Sequence, residues 1–225
     1  MNVLLFDIDG TLIEAGSAGQ AAMERALAEQ FGATRPVTGI PMAGRTDRAI
    51  VHDLFNYHGV EMNEERWQQF LDAYYRLLPE SLKTKNGLVL AGVPELLQGL
   101  SQRHDVSLGL LTGNLSKGAQ MKLSHFDLHH HFGFGGFGDR HIDRDDVARE
   151  AWAQVQSLHP QAQPEHVWVI GDTPSDIRCA RAIGAKVLAV ATGMFVLDEL
   201  ASHNPDLVLK DLSDPAEWFT AIGIA

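Results

Sequence analysis

Asp7 and Asp9 are separated by one residue in the stretch Val3-Leu4-Leu5-Phe6-Asp7-Ile8-Asp9-Gly10-Thr11. Residues two apart in an extended chain point to the same side. Both carboxylates can therefore face one pocket if the chain is still extended there. Two clustered carboxylates repel each other and call for a cation, and oxygen ligands suit Mg²⁺. Asp9-Gly10 is equally the signature of an ordinary turn, and this stretch alone leaves both readings open. Two other polar clusters follow apolar runs: Thr112-Gly113-Asn114, and Gly171-Asp172-Thr173-Pro174-Ser175-Asp176. Asp172, Ser175 and Asp176 also have the residue types that form turns and cap helices. If the three apolar runs are parallel strands, however, their ends lie along one edge, where open α/β sheets bind ligands. Three polar strand ends, two of them carboxylate pairs, exceed what turns alone require.

The elements that must position these groups are legible in the spacing. The run Val3 to Phe6 reads as a strand buried on both faces, hence a central parallel strand. Residues 18–31 carry apolar residues at helical spacing, and Gly32 can end that helix. Thr46 or Asp47 can cap a helix to His58, with Gly59 as its stop. Asn63 can cap a third helix, with Glu64 and Glu65 in its first turn and Pro79 near its end. No good strand is expected between Leu12 and Leu90. After Pro94, which can open a helix, strands and helices alternate. Strands are expected at 106–112, 132–137 (weak, diluted by glycines), 167–170, 186–190 and 207–209. Helices are expected from Ser116, from Asp143 or Asp145 to Leu158, at 175–183 and at 214–222. This alternation predicts right-handed βαβ units and a parallel sheet. The fold class is α/β, a Rossmann-like parallel core with an inserted α-helical block.

Composition bounds the function. The chain has 225 residues, 45% hydrophobic and 21% charged, as in soluble globular proteins. No apolar run reaches the roughly 20 residues that span a bilayer. The start carries no basic segment, which argues against a signal peptide. A single cysteine, Cys179, allows no internal disulfide, so a cytoplasmic location is expected. The formal charge of −11, with no Lys/Arg run, argues against nucleic acid and anionic membrane as partners. An anionic substrate would need metal and a few placed cations. His129, His130 and His131 read as a polar loop, since adjacent side chains do not converge easily on a metal. Cys179 reads as buried packing.

Taken in order, Asp7-Ile8-Asp9-Gly10-Thr11, Leu110-Leu111-Thr112-Gly113-Asn114 and Gly171-Asp172-Thr173-Pro174-Ser175-Asp176 resemble the first, second and fourth motifs of haloacid-dehalogenase-superfamily phosphatases. The resemblance spans essentially the whole chain. It implies a core of residues 1–14 and 80–225 and a helical cap of residues 15–79, similar to phosphoglycolate-phosphatase-like members. It implies a Mg²⁺-dependent phosphatase of a small phosphorylated metabolite, acting through an aspartyl phosphate. Asp7 would be the nucleophile and Asp9 the acid–base. Mg²⁺ would be held by Asp7, the Asp9 carbonyl and Asp172, with Asp176 a ligand or a support. Gly10, Thr112, Gly113 and Asn114 would bind the phosphoryl group or substrate. Arg45, in Gly44-Arg45-Thr46-Asp47, either binds the substrate's other end or is solvated beside a capping Thr46.

One position departs from the family pattern. The family's lysine ahead of the fourth motif has no counterpart between Lys122 and Lys186. Arg144 stands in its place, where its fork could hold the phosphate and Asp7, with Arg140 and Lys117 as rivals. Two other functions share parts of this pattern. A β-phosphoglucomutase-like phosphomutase would carry a cap histidine where this chain has Gly19. A receiver-type phosphoaccepting module would need neither Asp9 nor a cap. The substrate and the oligomeric state, monomer or homodimer, are not legible.

Overall fold

The computed structural model describes residues 1–224. Six parallel strands form one sheet in the order β5-β4-β1-β6-β7-β8. They are β1 (Asn2–Phe6), β4 (Val106–Leu111), β5 (Gly135–Gly136), β6 (Val167–Gly171), β7 (Lys186–Val190) and β8 (Leu207–Leu209). β1 is central, pairing with β4 on one side and β6 on the other. Its alternation divides the interior into two layers. Leu4 and Phe6 face a core shared with α4 (Val93–Ser101), α5 (Ser116–His125) and α9 (Ala216–Ile222). Val3 and Leu5 face a second core built with α6 (Arg144–Leu158) and α7 (Pro174–Ala182). Burial on both faces is why β1 reads as an unbroken apolar run rather than an alternating one.

The helical block comprises α1 (Ala18–Phe31), α2 (Asp47–His58) and α3 (Glu64–Thr84). Its caps are local and strong. Asn63 accepts from the Arg66 amide, Thr46 accepts from the Ala49 amide, and Gly32 and Gly59 close their helices in the left-handed conformation. α3 continues through Pro79 to Thr84, because Leu77, Leu78, Ser81 and Leu82 keep its buried face in register on both sides of the proline.

Three expectations need correction. Residues 12–90 do contain strands. β2 (Ile13–Glu14) and β3 (Leu88–Val89) pair antiparallel, where the chain enters and leaves the helical block. At two residues each they are too short to carry a periodic pattern. The expected strand at 132–137 shrinks to Gly135–Gly136 at the sheet edge. A short helix, α8 (Leu197–Ser202), was not anticipated. Among the described residues no helix is long and apolar enough to cross a membrane.

Candidate active site

All the strand ends that carry polar groups meet at one edge of the sheet, beside a cavity of about 380 Å³. Asp7, Asp9, Gly10, Gly113 and Asn114 line it from the β1 and β4 ends. Asp172 lines it from the β6 end, Arg144 from the start of α6, and Arg45 from the loop before α2. Thr112 and Asp176 are buried behind that lining. Parallel strands starting at one edge must end at one edge, so the topology alone gathers these distant residues.

β1 keeps its ladder as far as Asp7, whose amide donates to the Ile170 carbonyl at 2.9 Å. Gly10 then turns the chain with φ +82°. A Cβ at Gly10 would lie 2.4 Å from an Asp172 carboxylate oxygen, so only glycine lets these two strand ends approach. Thr11 Oγ1 donates to Asp172 at 3.2 Å. Asp176 sits in a reciprocal cap at the start of α7. It accepts from the Thr173 amide at 3.0 Å and the Thr173 hydroxyl at 2.7 Å.

Arg144 is 3% exposed and reaches both Asp7, after β1, and Asp176, at the start of α7. Nη2 donates to Asp176 Oδ1 at 2.5 Å, and Nη1 lies 3.4 Å from Asp7 Oδ2. Its rivals are elsewhere. Arg140 and Lys117 are exposed, and the Lys117 ammonium lies over the Tyr75 ring. The cap of α6 explains the geometry: Asp143 accepts from the Asp145 amide, so Arg144 is the first residue of the helix and faces the sheet edge.

Asp7, Asp172 and Asp176 bring a carboxylate oxygen each within 4.8 Å of one another. Burial pushes Asp7 up to about 6, against the opposing pull of Arg144 and with a further push from Asp176. Burial, with Asp176 and Asp7 beside it, pushes Asp172 up to about 8. Burial opposes the charge on Arg144, but Asp176 and Asp7 outweigh it and hold the guanidinium above its ordinary value. These acids are thus short of positive charge, and an all-oxygen set of this kind fits a hard divalent cation.

Two buried charged residues were not anticipated. Lys122 on α5 donates to Asp9 Oδ2 and to Asn114 Oδ1, both at 2.6 Å. Asp47, first residue of α2, accepts from the Leu115 amide at 2.9 Å. The Asp47 amide donates to the Gly113 carbonyl at 2.7 Å, Thr46 Oγ1 to the Ile142 carbonyl, and Arg48 to the Asp139 carbonyl. These bonds fasten the start of α2 to the loops beside the cavity. Burial there pushes Asp47 up to about 6. The legible clue to Lys122 was its place on the buried stripe of α5, with Gly118, Ala119 and Leu123. A lysine inside an apolar stripe wants a buried acid. Arg45 lines the cavity, but its guanidinium is engaged by Asp53 at 2.8 Å and by the Pro41 carbonyl.

The sequence profile of the haloacid dehalogenase-like hydrolases matches residues 4–190. The chain belongs to that family. As a haloacid dehalogenase-like hydrolase it is 29% identical over 226 residues to a phosphoglycolate phosphatase of Aquifex aeolicus, covering 95% of this chain and 94% of the relative. It is 24% identical over 225 residues to the pyrophosphatase PpaX of Oceanobacillus iheyensis, covering 95% and 94%. The crystal structure of a predicted phosphoglycolate phosphatase from Haemophilus somnus shares the fold of this hydrolase. Its TM-score is 0.75 at 19% identity, covering 97% of each chain.

Proposed function

We infer that this chain is a Mg²⁺-dependent phosphatase of small phosphorylated metabolites, with phosphoglycolate-like esters as the reference class. The observation that carries the reading is the acid cluster. Three buried carboxylates cluster together, two of them, Asp7 and Asp176, paired with one guanidinium, at the rim of a cavity that also holds a fourth, more accessible carboxylate, Asp9. In this reading residues 15–79 are the cap over a core of residues 1–14 and 80–225.

Asp7, Asp172 and the Asp9 carbonyl would hold the metal, with Asp176 a further ligand or support. When bound, Mg²⁺ supplies positive charge that lets a carboxylate approach a phosphate. The Asp7 carboxylate attacks phosphorus, and the bond from phosphorus to the leaving alcohol breaks. Asp9 gives its proton to that oxygen. Water then attacks the phosphorus of the aspartyl phosphate, losing a proton to Asp9 and returning Asp7 as a carboxylate. Arg144, Thr112, Gly113 and Asn114 would hold the phosphoryl oxygens. The buried Nε of Arg144 has no partner among the described residues, so the guanidinium has a donor to spare. Gly19 lines the cavity and has no side chain to relay a proton, which favours hydrolysis over a phosphomutase. The test is turnover of a panel of phosphate monoesters with Mg²⁺. Loss of activity in chelator is expected; full activity in chelator would sink the mechanism.

The raised carboxylates set a pH prediction. Asp7 at about 6 and Asp172 at about 8 bind protons more tightly folded than unfolded. Their contribution to stability is complete below pH about 4 and is lost as pH rises through these values. A metal that binds the carboxylates restores it, so Mg²⁺ is expected to stabilise the protein more at pH 8 than at pH 5. At about 100 times its Kd the gain is about 2.7 kcal/mol, or about 5–10 °C in Tm for a chain of this size. Thermal melts with Mg²⁺ and with chelator at both pH values check this. An equal shift at pH 5 and pH 8 would show that these acids do not hold the ion.

A further inference from the structure

We propose that Lys122 is a positioning residue for Asp9, holding one carboxylate oxygen so that the other meets the leaving group and the attacking water. The proposal rests on the phosphatase reading above. Lys122, Asn114 and Asp9 close a ring of hydrogen bonds. Lys122 Nζ donates to Asp9 Oδ2 and to Asn114 Oδ1, and Asn114 Nδ2 donates to Asp9 Oδ2 at 2.9 Å and to Thr112 Oγ1 at 2.8 Å. Both donors to Asp9 fall on Oδ2, which leaves Oδ1 for proton exchange. The ring also sets the direction of the Asn114 amide, since its oxygen must face the ammonium.

Burial distinguishes the two partners. The Lys122 side chain is 6% exposed, whereas that of Asp9 is 41% exposed. The ammonium thus sits behind a carboxylate that opens to the cavity. Burial opposes the charge on Lys122, but Asp9 and Asp47 outweigh it and keep the ammonium above its ordinary value. A purely structural account is weak here. Buried ion pairs are often no more stabilising than well-packed apolar side chains of similar size, and the neighbours of Lys122 on α5 are Gly118, Ala119 and Leu123. Gly19 packs beside the ammonium, where a Cβ would lie 3.4 Å from Nζ. The site therefore carries two buried cations with separate duties. Arg144 serves the nucleophile Asp7, and Lys122 serves the acid–base Asp9.

The experiment is a double-mutant cycle with Mg²⁺ and an alkyl phosphate. Lys122→Met is made alone and in an Asp9→Asn background, with Lys122→Arg as the conservative variant. Lys122→Met is expected to lower kcat about 10- to 100-fold, part of what general acid–base catalysis supplies, with KM little changed. In the Asp9→Asn background the same change should cost almost nothing, because residues acting through one group are not additive. Lys122→Arg should recover part of the loss. On a nitrophenyl phosphate, whose leaving group needs little help from a proton, Lys122→Met should give a stoichiometric burst followed by slow turnover. Equal losses in both backgrounds, or a change confined to KM, would overturn the assignment. If Lys122→Met fails to fold by circular dichroism, Lys122→Gln, which keeps a hydrogen-bond donor, takes its place under the same criteria. A wild-type enzyme with no monoester turnover would overturn the phosphatase reading and this proposal together. Wild-type turnover with an additive cycle would overturn only this proposal.

Discussion

Asp7→Asn is expected to abolish turnover, by about 10⁴-fold or more, the scale on which loss of a catalytic nucleophile is felt. It should also abolish any phosphoenzyme. The side chain is buried at the end of β1 with Arg144 as its ion-pair partner, and an amide of the same size fits the same space. The protein should therefore fold, and the loss should be chemical. Rapid quench with an activated phosphodonor, followed by mapping of the labelled residue, checks both halves. Wild type is expected to carry phosphate on Asp7 and release it quickly. A stable label on wild type would favour a phosphoaccepting module instead. Turnover by Asp7→Asn at a few per cent of wild type would remove Asp7 from the mechanism.

Arg144→Ala is the second large effect, and it has two parts. Losing a charge-assisted contact to the phosphoryl group and to Asp7 costs about 2–4 kcal/mol of transition-state stabilisation, comparable to removing an oxyanion-hole donor. That is roughly 30- to 1,000-fold in kcat/KM. The fold suffers separately, because Asp176 loses its 2.5 Å partner in a fully buried position. Breaking a buried pair typically costs about 3–5 kcal/mol. The sign of its pH dependence is fixed. With the guanidinium gone, burial pushes Asp7 further above its value of about 6. Arg144→Ala should thus be most unstable at high pH and recover as pH falls. Arg144→Lys restores the charge but not the fork, and should recover part of both losses. Arg140→Ala and Lys117→Ala, at exposed positions, should leave both rate and melting temperature close to wild type. If either of them cuts turnover more than Arg144→Ala does, the cation beside the phosphate is not Arg144.

What the sequence determined by itself was local. β1 was legible because four apolar residues in a row mean burial on two faces. α1, α2 and α3 were legible because Gly32, Thr46, Gly59 and Asn63 act on the backbone within a few residues of themselves. Once parallel strands were inferred, the meeting of Asp7, Thr112, Asn114 and Asp172 at one edge followed from topology. Arg144 was reachable through the family pattern, as the cation standing where the usual lysine is missing, at the start of the helix that Asp143 caps. The pairing of Arg144 with Asp7, 137 residues away, was expected only from the family pattern, and that of Lys122 with Asp9, 113 residues apart, was not legible at all. Nothing local in either residue names its partner. The same limit hid the β2–β3 pair, whose two-residue strands have meaning only against each other. It hid the burial of Asp47, which follows from α2 docking on the loop after β4. It also hid the partner of Arg45, since Asp53, nearly two turns into α2, pairs with its guanidinium. Burial and ion pairing depend on which surfaces close over a residue, and only the tertiary structure decided that a lysine on α5 and an arginine on α6 would divide two carboxylates that lie two residues apart in the chain.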